Sequence, residues 1–201
     1  NDEPMAFLMS RARVTGLSLS KIATDLKLMG SGPVTGLGEI RLPAVQSGSS
    51  IMPGKVNPVV PMLVNQTAYL VAGYDDAVSI AVSDGELELN SHGSMIAYCL
   101  LESFRLLERA ARTLAEACVD GIEINAEECA RMTARSPVLA TALLPVVGYD
   151  AATKVAYAAL EQGRPVADVA VEMGLVEAPD AGALLDPAHF LSPATERTQD
   201  G

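Results

Sequence analysis

An all-α fold follows from three features of the 201-residue sequence. The composition is aliphatic and almost free of aromatics, apolar residues recur at helical spacing, and long uninterrupted stretches alternate with glycine- and proline-rich breaks. Hydrophobic residues make up 49%, aromatics 4%, and there is no Trp. The core is therefore built from Ala, Val, Leu and Met, a palette that favours helices, since strands lean on aromatic and β-branched side chains. The pattern predicts long helices up to about residue 120, including an irregular loop, and a small helical domain over residues 121–201.

The first helix is predicted over residues 5–29, where Leu19, Ile22, Ala23, Leu26 and Met29 repeat at helical spacing and Ser20, Lys21, Asp25 and Lys27 take the other face. Gly30-Ser-Gly-Pro33 stops it. Residues 34–57 are punctuated throughout by Gly, Pro and Ser, which argues against regular structure. A long irregular segment inside a compact protein is often functional. A second helix is predicted from Pro58 to about Asp84, with Asn57 as N-cap and Pro58 in the first helical position. It is apolar on most sides, so we expect it to be covered by association with other subunits.

Gly85-Glu-Leu-Glu-Leu-Asn90 breaks that helix, and a third is predicted over residues 94–118. Its apolar stripe is Leu100, Leu101, Phe104, Leu107, Ala111 and Leu114. Its charged face, Glu102, Arg105, Glu108, Arg109 and Arg112, reads as solvated. Beyond Gly121 the predicted helices shorten to residues 126–134, 137–144, 150–161 and 166–173, with turn signals between them. The tail from Leu191 is polar and expected to fray.

The net charge of −11 argues against nucleic acid as a partner, because such a chain repels a phosphate backbone. Residues 56–74 carry no charge, yet Asn57, Pro58, Pro61, Asn65 and Gln66, followed by Asp75-Asp76, argue against a membrane span and for burial within a protein assembly. Cys99, Cys118 and Cys129 are odd in number and lack metal-ligand spacing, which points to ordinary thiols in a reducing compartment, the cytoplasm, and to no metal site. His92 and His189 read as loop or surface residues. The chain opens on Asn1 rather than Met, without a signal-peptide pattern.

Chemistry concentrates in Gly48-Ser-Ser-Ile-Met-Pro-Gly-Lys-Val-Asn-Pro58. Two adjacent hydroxyls, Ser49 and Ser50, follow a glycine. Lys55 contributes a full positive charge and Asn57 contributes amide donors at a helix start, where backbone N–H groups and the helix dipole favour an anion. Composition alone suits a carboxylate or a phosphate; a plain capped helix after a loop is the alternative. The nucleotide-binding pattern Gly-x-x-x-x-Gly-Lys-[Ser/Thr] is not met, since Val56 follows Lys55.

This eleven-residue segment resembles the signature of the aspartase/fumarase superfamily, and the likeness extends over most of the chain. Leu26-Lys-Leu-Met-Gly-Ser-Gly-Pro33 with Gly36-Leu-Gly-Glu-Ile40 resembles the family's approach to the loop. Gly85-Glu-Leu-Glu-Leu-Asn90 resembles the segment after its central helix, and Val119-Asp-Gly-Ile-Glu-Ile-Asn125 resembles the start of its C-terminal domain. Gly148-Tyr-Asp150 and residues 163–175 continue the likeness. Val59-Val-Pro61 followed by Val64-Asn-Gln66, together with Ile96-Ala-Tyr98 and Arg105-Leu-Leu107, looks more like aspartases than fumarases.

The resemblance implies elimination of ammonia from aspartate, a small dicarboxylate, to give fumarate, with fumarate hydration as the alternative. It implies Ser49 as the base, Ser50 as a ligand of the reacting carboxylate, and Lys55 and Asn57 as ligands of the other carboxylate. It implies no cofactor, and a homotetramer. Two departures stand out. The family's Glu seven residues after the signature lysine, which pairs with a histidine of another subunit, is here Met62; the family's Gly-Pro-Arg is here Gly-Pro-Val34. Met62 also allows a degenerate, non-catalytic relative. The family site draws on two further segments that lie upstream in full-length members, so we expect this chain to supply one part of a site and to be inactive alone.

Overall fold

The computed structural model describes residues 2–46, 48, 52 and 54–190, the side chains of His189 and Phe190 excepted. Among these, helices dominate and the all-α expectation holds. The chain divides into two compact units, residues 1–125 and 126–201.

The first unit is built on three long helices, α1 (Glu3–Met29), α2 (Val59–Ser83) and α3 (Gly93–Ala117). Helices α1 and α2 pack antiparallel, as their cross-links show. Near one end, Ser10 Oγ donates to Asp75 Oδ1 (3.1 Å) and Arg13 reaches Asp75 (3.2 Å) and Asp76 (2.9 Å). Asp75 is buried, and the bond to it raises the affinity of the Arg13 guanidinium for its proton, with Asp76 adding to the effect. Further along, the Asn65 amide donates to the Ser20 carbonyl (2.9 Å) and Ser20 Oγ (2.8 Å), with Thr24 Oγ1 at 3.2 Å. Small residues let the helices approach: a Cβ at Gly16 would stand 3.2 Å from Leu107 Cδ2 and 3.5 Å from the Ala68 Cα.

Two apolar clusters fill this unit. One gathers Met9, Ala12, Val71, Val78, Ile96 and Leu100; the other gathers Ala23, Leu26, Val60, Val64, Ala110 and Leu114. The buried stripe of α3 runs Ile96, Leu100, Ser103, Leu107, Ala110, Leu114. It is rotated from the predicted one, because Leu101 (71% exposed) and Phe104 (41%) face outward. On α1, Ile22 likewise points out. The solvated face of α3 carries the pairs Glu102–Arg105 and Glu108–Arg112. The Arg105 hydrogen bond holds the Glu102 carboxyl below its ordinary range.

Two local expectations need correction. Asn57 is not the N-cap of α2. Pro58 occupies that position at φ −77°, ψ 66°, and the Val59 N–H turns back to the Asn57 carbonyl (2.9 Å) in a tight three-residue turn, so the helix starts one residue later. Residues 34–57 are not wholly irregular either. Strand β1 (Ile40–Arg41) pairs antiparallel with β2 (Glu123–Ile124), a partner more than eighty residues away that local pattern does not reveal. Asn125 extends this clamp through its N–H to the Glu39 carbonyl (2.9 Å) and its side chain to the Gly38 carbonyl (3.0 Å).

The second unit contains α4 (Ala126–Ala134), α5 (Leu144–Val147), α6 (Tyr149–Gln162), α7 (Val166–Glu172) and α8 (Ala178–Leu184). Its core is Leu139, Leu143, Val155, Ala159, Val166 and Val169. The element expected over residues 137–144 is a 3₁₀ helix, Pro137–Leu143, that passes into α5 at Leu144. Pro145 explains the restart, since its ring cannot follow a continuous α-helical turn. Helix α8 was not expected: Pro179 and Gly182 lower its propensity, and tertiary burial of Ala181 holds it.

Cys99 and Cys118 are buried, Cys129 is half-buried, and none of the three is in a disulfide among the described residues. Burial pushes the Cys99 and Cys118 thiols up. No helix among the described residues is long and apolar enough to cross a membrane. The polar tail from Leu191 lies outside the described residues.

Two substitutions test this packing by urea unfolding. Leu143, fully buried, should cost about 2–5 kcal/mol when cut to Ala. Asn65→Ala should cost about 1–3 kcal/mol by removing the buried link between α1 and α2.

Candidate active-site loop

Because α1 and α2 are antiparallel, residues 30–58 leave and rejoin the helix pair at one end. The approach is shaped first. Gly38 N–H donates to the Ser31 carbonyl (2.7 Å), and Leu37 N–H donates to Ser31 Oγ (3.1 Å). The β1–β2 pairing then fixes residues 40–41, and Arg41 reaches Glu123 at 2.9 Å. Pro43 lies against Gly121, where a Cβ would come within 2.7 Å of its ring. The segment that follows α3 therefore anchors the loop's base.

The loop closes on itself between Gly48 and Lys55. A Cβ on Gly48 would stand 1.4 Å from the Lys55 carbonyl oxygen, so no side chain fits at this neck. The Lys55 N–H donates to the Met52 carbonyl (3.2 Å), and Gly54 takes a positive φ of 79° in that turn. Ser49 and Ser50 lie in sequence between the two sides of the neck and outside the described residues. Lys55 is exposed and Asn57 is half-buried, two residues before α2.

The start of α2 offers fewer donors than its sequence suggested. Val59 N–H is taken by Asn57, Met62 N–H by Pro58, and Pro61 has none. Among the described residues only the Val60 N–H of the first turn is without a partner, so what this helix start offers an anion is mainly its dipole and the neighbouring side chains. The electrostatics nonetheless favour an anion. The first turn of α2 contains no acid. Between Arg41 and Tyr74 the sequence has Arg41 and Lys55 and no carboxylate, within a chain of net charge −11.

Met62 is 41% exposed on the first turn of α2, so its thioether faces out of the unit beside the loop. Val34 is 89% exposed. His92 belongs elsewhere. It caps α3 and meets Asp84 at 3.0 Å, beyond the far end of α2. The 25 residues of α2 put about 37 Å between that end and Lys55. His189 lies in the 3₁₀ turn Pro187–Phe190 of the second unit. The residues that sequence reasoning passed over are Glu123 and Asn125. Their local signals are the family-like run from Val119 to Asn125, which assigns them no role, and the alternation Ile122-Glu-Ile-Asn125, too short to announce a strand.

Comparison with known proteins agrees with this geometry. The family described as "Lyase" matches residues 2–73, and "Fumarase C C-terminus" matches residues 139–192. An aspartate ammonia-lyase of Pseudomonas canavaninivorans is 46% identical over 179 residues, 89% of this chain and 38% of that protein. A class II fumarate hydratase of Corynebacterium efficiens is also 46% identical, over 88% of this chain and 37% of its own length. The crystal structure of a fumarate lyase:delta crystallin from Brucella melitensis superposes with a TM-score of 0.89 at 50% identity, covering 94% of this chain and 41% of that one. A class II fumarase from Schistosoma mansoni gives 0.85 at 32% identity, covering 96% and 40%. The chain spans about two fifths of the length of these relatives. With the signature loop, the helical fold and these relatives in agreement, the chain belongs to the aspartase/fumarase superfamily of lyases.

Proposed function

We propose that this chain carries the substrate loop of an aspartate ammonia-lyase, which converts L-aspartate to fumarate and ammonia. The observation that carries the reading is the loop itself. A neck at Gly48 and Lys55 brackets two serines, and it opens onto the acid-free start of α2. Aspartate ammonia-lyases among the relatives, and the run Val64-Asn-Gln66, favour aspartate over malate. The class II fumarase of equal identity keeps fumarate hydration as the second reading.

In this proposal Ser49, as alkoxide, takes a proton from the carbon beside one carboxylate. The electron pair left behind spreads into that carboxylate as an aci-carboxylate dianion. It then returns to form the double bond as the carbon–nitrogen bond breaks and ammonia leaves. Ser50 binds the reacting carboxylate, and Lys55 and Asn57 hold the other. A serine hydroxyl is a weak base, and a neighbouring cation and a helix N-terminus favour its ionised form. The dianion needs positive charge already in place, which Lys55 supplies. The proposal includes that the remaining groups of the site come from segments beyond these 201 residues, a reading supported by relatives that are more than twice as long, and that the 201 residues alone turn over neither substrate.

We further place the protein in the cytoplasm, where free thiols persist, and in a homotetramer. Support for association comes from α2, whose outward face carries Met62, Leu63, Tyr69, Leu70 and Ile80, each at least 41% exposed. That much apolar surface on one helix is costly in water.

Fumarate formation from L-aspartate, followed by ultraviolet absorbance with L-malate in parallel, tests the reaction in the full-length polypeptide. Aspartate turnover is expected, and Ser49→Ala should lower kcat/KM by about 10²–10⁴-fold. Turnover of malate alone would establish the second reading. Met62→Glu separates an active enzyme from a decayed one. A change in kcat/KM of less than about tenfold, roughly 1.4 kcal/mol in the barrier, is expected, whereas a large gain would indicate a degenerate site. Sedimentation of the full-length polypeptide should give a tetramer, and a stable monomer would refute the association.

A further inference from the structure

Residues 85–90, between α2 and α3, form a short hairpin that the lyase reading does not use. Glu86 and Leu89 exchange both backbone hydrogen bonds, at 2.8 and 2.9 Å. The base is fixed as well: the Asn90 amide donates to the Ala81 carbonyl (3.0 Å), and its oxygen accepts the His92 N–H (2.8 Å). The tip is Leu87-Glu88, and both residues take positive φ, 45° and 67°. A two-residue turn of this kind ordinarily carries Asn-Gly or Gly-Gly, because a larger side chain resists positive φ. Leu87 is also fully exposed, and Leu89 is 74% exposed. Contacts within the unit explain neither the strain nor the exposure. Strain of this sort clusters where a surface has work to do, and a tip already held in shape loses little freedom on docking.

A hollow that fits the tip lies on the same unit. A groove of about 360 Å³ runs between α1 and α3, walled by Leu8, Leu19, Phe104 and Leu107. Two charged residues line it, Arg11 and Glu108. Glu108 is bonded to Arg112, whereas Arg11 has no acidic partner among the described residues. At the hairpin, Glu86 and Glu88 have no cationic partner among the described residues. The groove thus presents one uncommitted cation beside apolar walls, and the hairpin presents uncommitted acids beside an apolar tip. Leu87 touches nothing in its own copy, so the two surfaces meet only between copies. Phe104 lies about 16 Å along α3 from Gly93, just after the hairpin. A two-fold axis crossing α3 midway sets each hairpin against the other copy's groove, so both contacts form together.

We propose that the chain pairs with a second copy of itself by seating the tip of residues 86–89 in the α1–α3 groove, with Glu88 against Arg11. Apolar burial supplies the attraction, and the match of acid to guanidinium selects the partner and its orientation. This surface is distinct from the outward face of α2, and the proposal does not rest on the substrate reading.

Disulfide cross-linking of the full-length polypeptide provides the test. One preparation carries Leu87→Cys and the other carries Thr15→Cys, an exposed position that lines the groove. Mixed under mild oxidation, they should give a linked pair, which requires Cα atoms within about 7 Å. Either preparation alone should give at least about tenfold less, with the unaltered polypeptide setting the background from Cys129. Arg11→Glu in the Thr15→Cys preparation should cut the yield about tenfold, and Glu88→Arg in the Leu87→Cys preparation should restore it. No mixed product above background would overturn the proposal and give the groove to another segment or partner. A mixed product indifferent to Arg11→Glu would overturn it too, because the charge match selects the partner. Sedimentation of Glu88→Arg alone, which alters no cysteine, should show dissociation at about tenfold higher concentration than the unaltered polypeptide. Equal dissociation would overturn the proposal even if a cysteine variant fails to fold.

Discussion

Close antiparallel approach of α1 and α2 is the constraint on which the first unit depends. Gly16, Ala12 and Ala68 bring the backbones together, and Asn65 bridges them in a buried position. Such a bridge contributes modestly when made but is costly to break, because the amide would be left buried without partners. The Arg13–Asp75 pair works in the same way nearer the other end: a buried carboxylate is tolerated only while its cation is present. Together these polar links set the register of two otherwise slippery aliphatic surfaces. That register fixes where α1 ends and α2 begins, and hence both ends of the loop.

The third helix finishes the arrangement. Packed alongside the pair, α3 delivers residues 119–125 to the same end of the unit, where they clamp the approach to the loop through β2 and Asn125. The loop is thus held at its base by backbone pairing and at its neck by the contact of Gly48 with Lys55. On the proposed reading, a loop held at its base and its neck positions the groups that meet the substrate. The charge pattern supports it. An acidic chain keeps carboxylates out of the whole stretch from Arg41 to Tyr74, so Lys55 has no neighbouring anion in sequence.

Much of this was legible in the sequence for a simple reason: long helices announce themselves by period, and glycine and proline announce breaks. The bounds of α1, α2 and α3 fall within a residue or two of the periodic stretches, and the all-α class follows from composition. Shorter features were less legible. Helix α8 has weak propensity and exists because Ala181 and Leu185 are buried. The outward turn of Leu101 and Phe104 on α3 was hidden because an apolar stripe wide enough to cover two faces does not say which face is covered.

The sequence by itself determined the helical class, the positions of the long helices, and the signature residues Gly48 to Pro58 that place the chain in its superfamily. Those are local properties, encoded in spacing and in the identity of neighbouring residues. Only the tertiary structure decided that Ile40-Arg41 pairs with Glu123-Ile124, that Pro58 rather than Asn57 caps α2, and that the first turn of α2 leaves one N–H without a partner among the described residues. Each of these depends on which groups meet across the fold, and on which donors and charges are already satisfied when they do. Pairing and satisfaction are properties of contact in space, which a one-dimensional pattern of residue types does not contain.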